Sequence, residues 1–234
     1  MNVLADSHVA VFGLGGVGGY CAEALARSGV GALDLIDHDK VSPTNINRQI
    51  VALESTIGRP KAEVMAERVR DINPSCRAVA RTCFFLPDTA DQIDLSQFDY
   101  IVDCVDTVTA KLLLAERAQE VGVPLISSMG TANKLDPTKL EVADISKTDI
   151  CPLAKIIRKE CRKRGIKHLK VVYSREPARQ PSDEAQAAYL ATMQKDAGAT
   201  VDKFGRAGIP ASTAFVPPAA GLILASEVVK DLVS

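Results

Sequence analysis

Three glycines near the amino terminus set the first limit on what this chain can become. In the stretch VAVFGLGGVGGYCAEALARSG, Val9 to Gly29, residues Gly13, Gly15 and Gly18 follow the spacing G-x-G-x-x-G. An apolar run precedes them and an amphipathic segment follows, so the pattern predicts strand, tight turn and helix in immediate succession. Glycine lets the backbone turn sharply and approach a phosphate, and the helix start offers unpaired N–H groups to an anion. Glycines that serve only close strand–helix packing are the bland alternative. The cradle alone leaves NAD and ATP equally served.

Helix and strand patterns extend this unit along the first half. Val9–Phe12 reads as a strand, Val17–Ser28 as a helix, and ALDLID (Ala32–Asp37) as a second strand ending on acid. Pro60–Asn73 is expected to be a helix, with Met65, Val69 and Ile72 at helical spacing. Arg77–Phe84, Tyr100–Cys104 and Pro124–Ser128 read as strands, the last two flanking a helix from about Val108 to Val121. The expectation is a Rossmann-like, doubly wound, mainly parallel α/β sheet. Beyond Gly130 a C-terminal extension follows: a strand in KLEVADI, a helix over Pro152–Arg164, a strand over Leu169–Tyr173 and an amphipathic helix over Pro218–Leu232. The polar stretch 175–208 is expected to be a mobile loop, with a helix around Glu184–Gln194.

Composition narrows the class. With 234 residues, 47% hydrophobic and 24% charged, the chain suits one sizeable core, so 1–234 is read as a single domain. The net charge of -1 gives no overall bias toward nucleic acid or membrane. Nothing resembles a signal peptide, and the late apolar run Ala219–Ala225 is far short of the ~20 residues of a membrane span. Six cysteines without a C-x-x-C pair argue for reduced thiols and a cytoplasmic protein.

The choice between the nucleotides turns on DHDKVSPTNINRQ, Asp37–Gln49. Asp37 lies at the end of the second strand, where an acid takes ribose hydroxyls. A dehydrogenase has no need of the polar loop that follows, whereas a triphosphate calls for Arg48 and for Lys61, which stands against the helix dipole in GRPKAEVMAER. DCVDT then places Asp103 and Asp106 at the carboxyl edge of the sheet, and either acid would suit the magnesium ion that accompanies ATP. Singly these residues have ordinary surface or capping explanations. Together they select ATP.

GLGGVGGY, DHDKVSPTNINRQ, GRPKAEVMAERVRDINP and DCVDT resemble the adenylating domain of the ubiquitin-activating-enzyme superfamily. Within it, SMGTANKLDPTKLEVADISKTDICPLAK and GIPASTAFVPPAAGLILASEVVKDL resemble the tRNA threonylcarbamoyladenosine dehydratases. The resemblance implies that Gly13, Gly15, Gly16, Gly18, Asp37, Asp39, Asn45, Arg48, Gln49 and Lys61 surround ATP. It also implies that Asp106 binds magnesium and that Arg48, Lys61 and Asp106 are catalytic. A homodimer, a tRNA substrate and sulfur-transfer partners are implied as well. Such relatives carry an arginine ahead of the first strand, whereas the first arginine here is Arg27. Thr107 replaces the asparagine that often follows the magnesium acid.

One feature points to RNA independently of that likeness. KIIRKECRKRGIKHLK, Lys155–Lys170, holds eight Lys or Arg and one Glu in a chain of net charge -1. Lys155, Arg158, Lys159 and Arg162 fall on one helical stripe with Lys163 beside it, and Leu153, Ile156, Ile157 and Cys161 are expected on the buried side. A solvated helix face is the alternative to phosphate binding. Adenylation of the C-terminus of a ubiquitin-like or sulfur-carrier protein, or a non-catalytic nucleotide-binding scaffold, are the competing functions. Cys151, just ahead of Pro152, is the candidate for a covalent nucleophile, although ring closure on an adenylate needs none.

Overall fold

The computed structural model describes residues 2–180, 182–184 and 211–234. A short helix α1 (Asn2–Asp6) leads into β1 (His8–Phe12), α2 (Gly18–Arg27), β2 (Ala32–Ile36), α3 (Lys61–Ile72) and β3 (Arg77–Arg81). The chain continues through β4 (Tyr100–Asp103), α4 (Val108–Val121), β5 (Leu125–Ser128), β6 (Leu140–Asp144), α5 (Pro152–Lys163), β7 (Lys170–Ser174) and α6 (Val216–Val233). Most of the polar stretch 175–208, with the helix expected in it, lies outside the described residues.

The strands form one sheet in the order β3-β2-β1-β4-β5-β7-β6, parallel except for β6, which runs against β7. The chain winds outward from β1 to β3, then resumes at β4 on the other side of β1. That reversal opens a crevice beyond the carboxyl ends of β1 and β4, the position where open α/β sheets bind ligands. The glycine turn, the end of β2 and the DCVDT segment all meet this edge.

Burial on both faces explains the apolar strands. Val9, Val11, Leu33 and Leu35 pack with Leu25 of α2, Met65 of α3, and Leu224 and Val228 of α6. Alternate residues Ala10, Phe12 and Ile36 turn to the other face and meet Phe85, Phe98 and Leu114. Each fully buried Leu or Phe contributes about 1.5–3 kcal/mol. A third cluster joins Ile157 and Cys161 of α5 to Leu112, Val171 and Tyr173.

Two boundaries differ from expectation for packing reasons. The strand expected to reach Phe84 stops at Arg81, because Phe85 leaves the sheet plane to pack edge-on against Phe12, 5.1 Å between ring centroids. The last helix begins at Val216, with Pro217 and Pro218 in its first turn, where a missing N–H breaks no helical bond. Its inner face is apolar as expected, but its outer face also keeps Leu222 exposed. No described helix is long and apolar enough to cross a membrane.

Candidate nucleotide-binding site

The glycine turn is held from three sides. Gly13 has φ +85°, and a Cβ on it would sit 2.8 Å from the carbonyl carbon of Cys104. A Cβ on Gly18 would lie 1.7 Å from the Gly13 carbonyl oxygen. These two glycines are therefore dictated by the turn itself and by β4 beside it. Gly15 and Gly16 border other residues of the crevice: the nearest atom to a Cβ on Gly15 is the Gln49 amide nitrogen at 3.8 Å, and Gly16 lies between Pro217 and the Arg48 stem. Asp37 fastens the arrangement, with its two carboxylate oxygens accepting from the Leu14 amide (2.6 Å) and the Asp39 amide (2.8 Å). Asp37 thus pins the turn, and each oxygen keeps acceptor capacity for a hydroxyl.

The acids at the strand ends separate by environment. Asp103 is fully buried and spends its oxygens on Lys111 Nζ (3.0 Å), the Ser127 hydroxyl (2.5 Å) and the Val105 amide (3.1 Å). It has no face left for a metal. Asp106 is exposed, and its Oδ1 accepts from the Thr107 hydroxyl at 3.3 Å. A carboxylate so lightly held fits a hard cation. Asp37, His38 and Asp39 also bring ligand atoms within 4.8 Å, but Lys61 Nζ lies 2.8 Å from Asp39 Oδ2, and an ammonium disfavours a second cation there.

The polar loop borders the glycine turn through Arg48 and Gln49. Asn45 is buried and its Oδ1 accepts from the Ser42 amide. Arg48 donates through Nη1 to the Thr44 carbonyl (3.0 Å) and to Asn47 Oδ1 (2.8 Å), and burial pushes its guanidinium pKa down. Gln49 is buried with its Oε1 unpartnered. A buried amide with an orphaned end, beside a glycine turn with a cation at its rim, fits a nucleotide.

The sequence pattern of the ThiF family matches residues 1–233. This chain belongs to the ThiF family. It is 44% identical over 234 residues to the Bacillus subtilis tRNA threonylcarbamoyladenosine dehydratase, covering 99% of this chain and 89% of that protein. The Escherichia coli tRNA threonylcarbamoyladenosine dehydratase is 44% identical over 158 residues, 68% of this chain and 59% of the relative. Among solved structures, the Escherichia coli tRNA N6-threonylcarbamoyladenosine dehydratase in complex with ATP superposes with a TM-score of 0.83 at 33% identity, covering 99% of this chain and 88% of the other.

On α5 of this ThiF-family chain the basic residues divide by their surroundings. Lys155, Lys159 and Arg162 on α5 are exposed as expected. Arg158 is partly buried and partly committed: its Nη1 donates to the Thr148 carbonyl (2.6 Å) and hydroxyl (2.7 Å), tying α5 to the preceding loop. Lys163 pairs with Glu160 at 2.7 Å. Ile156, expected on the buried side, is 46% exposed, because Ala154, Ile157 and Cys161 form the seam. Cys151 begins α5 without a side-chain capping bond and is only 2% exposed, which removes the accessibility a covalent nucleophile needs. Burial pushes the Cys21 thiol up, and that of Cys161 up to about 11, in keeping with inert packing.

Sequence reasoning singled out the stretches that carry Asn47, Asn133 and Ala211–Pro217 but gave these residues no role in the site. Asn47 Nδ2 donates to the Ser212 carbonyl at 2.9 Å, and Pro217 lies against Gly16. The only local signal was Asn47 itself, one residue before Arg48.

Proposed function

We propose that this chain uses ATP to adenylate the carboxylate of threonylcarbamoyladenosine beside the anticodon of a tRNA, and so drives its cyclisation. The carboxylate oxygen attacks the α-phosphorus, and the bond to pyrophosphate breaks. A neighbouring atom of the same modification then attacks the activated carbonyl, loses its proton and expels AMP. Hydroxide is a poor leaving group and AMP a good one, so adenylation supplies the driving force. Ring closure is intramolecular and gains from proximity.

The observation that carries this reading is the 44% identity to a tRNA threonylcarbamoyladenosine dehydratase over 234 residues. It is supported by a glycine turn with Asp37, Arg48 and Gln49 gathered around it. In this reading Gly15 and Gly16 approach the phosphates, Asp37 takes the ribose, and Arg48 and Lys61 neutralise developing charge. Asp106 would hold Mg²⁺, which supplies charge neutralisation at the phosphates when bound. Lys155, Lys159 and Arg162 would meet the tRNA backbone, and the working unit would be a cytoplasmic homodimer.

Pyrophosphate release from ATP should be measured with modified tRNA, with the same tRNA lacking the modification, and without RNA. Release confined to the modified tRNA is expected. Equal release in all three would refute the substrate, and release driven by a carrier-protein C-terminus would move the assignment to protein activation.

A further inference from the structure

Arg48 is the last link of a hydrogen-bonded chain that begins far from it in sequence. Its Nη1 is held by Asn47 Oδ1, and the same Asn47 amide donates from Nδ2 to the Ser212 carbonyl. One residue earlier, the Ala211 amide donates to Asn133 Oδ1 (2.7 Å), and the Asn133 amide donates back to the Ala211 carbonyl (2.6 Å). Asn133 is itself fixed. It lies in the left-handed region at φ +59°, where asparagine is tolerated better than most residues, and its carbonyl accepts from the Arg179 amide at 2.8 Å.

The next residue anchors this loop to the sheet. Lys134 is buried, and its Nζ donates to the Ser174 and Glu176 carbonyls at the end of β7. The Glu176 carboxylate accepts in return from the Leu135 and Asp136 amides. Desolvation pushes the Lys134 pKa down, and the nearby Glu176 carboxylate acts against that shift. The end of β7 thus holds Asn133, Asn133 holds Ala211, and the segment 211–212 holds Asn47.

We propose that Asn47 and Asn133 are positioning residues for Arg48, acting through the segment 211–212. The inference rests on the reading of Arg48 as a phosphate ligand. An arginine swings on a long stem, and fixing one guanidinium nitrogen orients the whole planar fork. Among the described residues, Arg48 makes its side-chain bonds to Thr44 and Asn47 through Nη1, which leaves Nε and Nη2 to meet a phosphate. Asn47 suits the task because one amide supplies an acceptor to Arg48 and a donor to Ser212. Aspartate would lose the donor and alanine both.

The test is a double-mutant cycle on ATP affinity, measured by calorimetric titration of the full chain, with thermal melting as the folding control. Asn47→Ala should weaken ATP binding about five- to tenfold in the wild-type background and by less than about twofold in an Arg48→Ala background. Additive losses would overturn the relay while leaving Arg48 at the phosphates. An Arg48→Ala protein that binds ATP normally would overturn both the relay and the phosphate assignment. At the far end, Asn133→Gly keeps the left-handed backbone and removes the acceptor, so it should reproduce the Asn47→Ala loss. Asn133→Asp retains Oδ1 and should restore affinity to within about twofold. Equal affinities for the two Asn133 variants would overturn the role of that residue.

Discussion

The ends of β2 and β4 carry the same chemical pair in opposite settings. At β4, Asp103 and Lys111 meet at 3.0 Å with both side chains at most 2% exposed, and Ser127 and the Ser128 carbonyl complete the network. At β2, Asp39 and Lys61 meet at 2.8 Å with the Asp39 side chain 49% exposed. Water has been removed from the first pair, so each charge depends wholly on its partner. The second pair is open on its acid side alone, since the Lys61 side chain is 5% exposed, and a half-exposed acid is the more weakly held partner. Two pairs of equal composition and nearly equal length thus sit in different environments. The first pair is closed to solvent on both sides, whereas the second is reached from the Asp39 side.

Removing one buried partner should have the largest effect. Lys111→Met leaves Asp103 uncompensated, and urea unfolding should show a loss of about 3–5 kcal/mol. Adding Asp103→Leu should recover most of it; a single-variant loss under about 1 kcal/mol would erase the contrast between the two strand ends. Next comes the exposed acid three residues beyond Asp103. Asp106→Ala should cut magnesium-dependent AMP formation by about a hundredfold or more, with stability changed by less than about 0.5 kcal/mol. Unaltered turnover would refute the metal assignment.

Effects at the open pair should be smaller and confined to ligand. Lys61→Ala is expected to weaken ATP binding about tenfold and AMP binding by less than about threefold, the scale of one charge-assisted hydrogen bond. Equal losses for both nucleotides would place Lys61 away from the distal phosphates. The smallest effect belongs to the surface of α5. Lys155→Glu with Lys159→Glu should lower the salt dependence of tRNA binding by roughly 0.7–0.9 in slope for each RNA phosphate no longer neutralised, with ATP affinity unchanged. An unaltered slope would return the helix to a solvated face.

Much of the fold was legible because its signals are local. Runs such as VAVF and ALDLID are apolar throughout since both faces of their strands are covered, and the glycine spacing follows from steric limits within one turn. The polar character of the loop Asp37–Gln49 and of Lys61 was plain in the sequence, and the place of that loop at the carboxyl edge followed from the strand–helix order. The basic stripe on α5 was half legible. Helical spacing placed Lys155, Lys159 and Arg162 on one exposed face, but it gave no sign that Thr148 takes Arg158.

The amino-acid sequence by itself determined the α/β class, the glycine turn and the set of polar residues brought to one edge of the sheet. Periodicity and backbone sterics act over a few residues, and those residues are neighbours in the chain. Only the tertiary structure showed how differently Asp103 and Asp106 are placed, because DCVDT offers two acids at one strand end and burial against Lys111 takes up the first. It alone joined Asn47 to Ser212 across 165 residues, and Asn133 to Ala211 across 78. A hydrogen bond is chosen by distance and desolvation, and neither quantity is written in sequence separation.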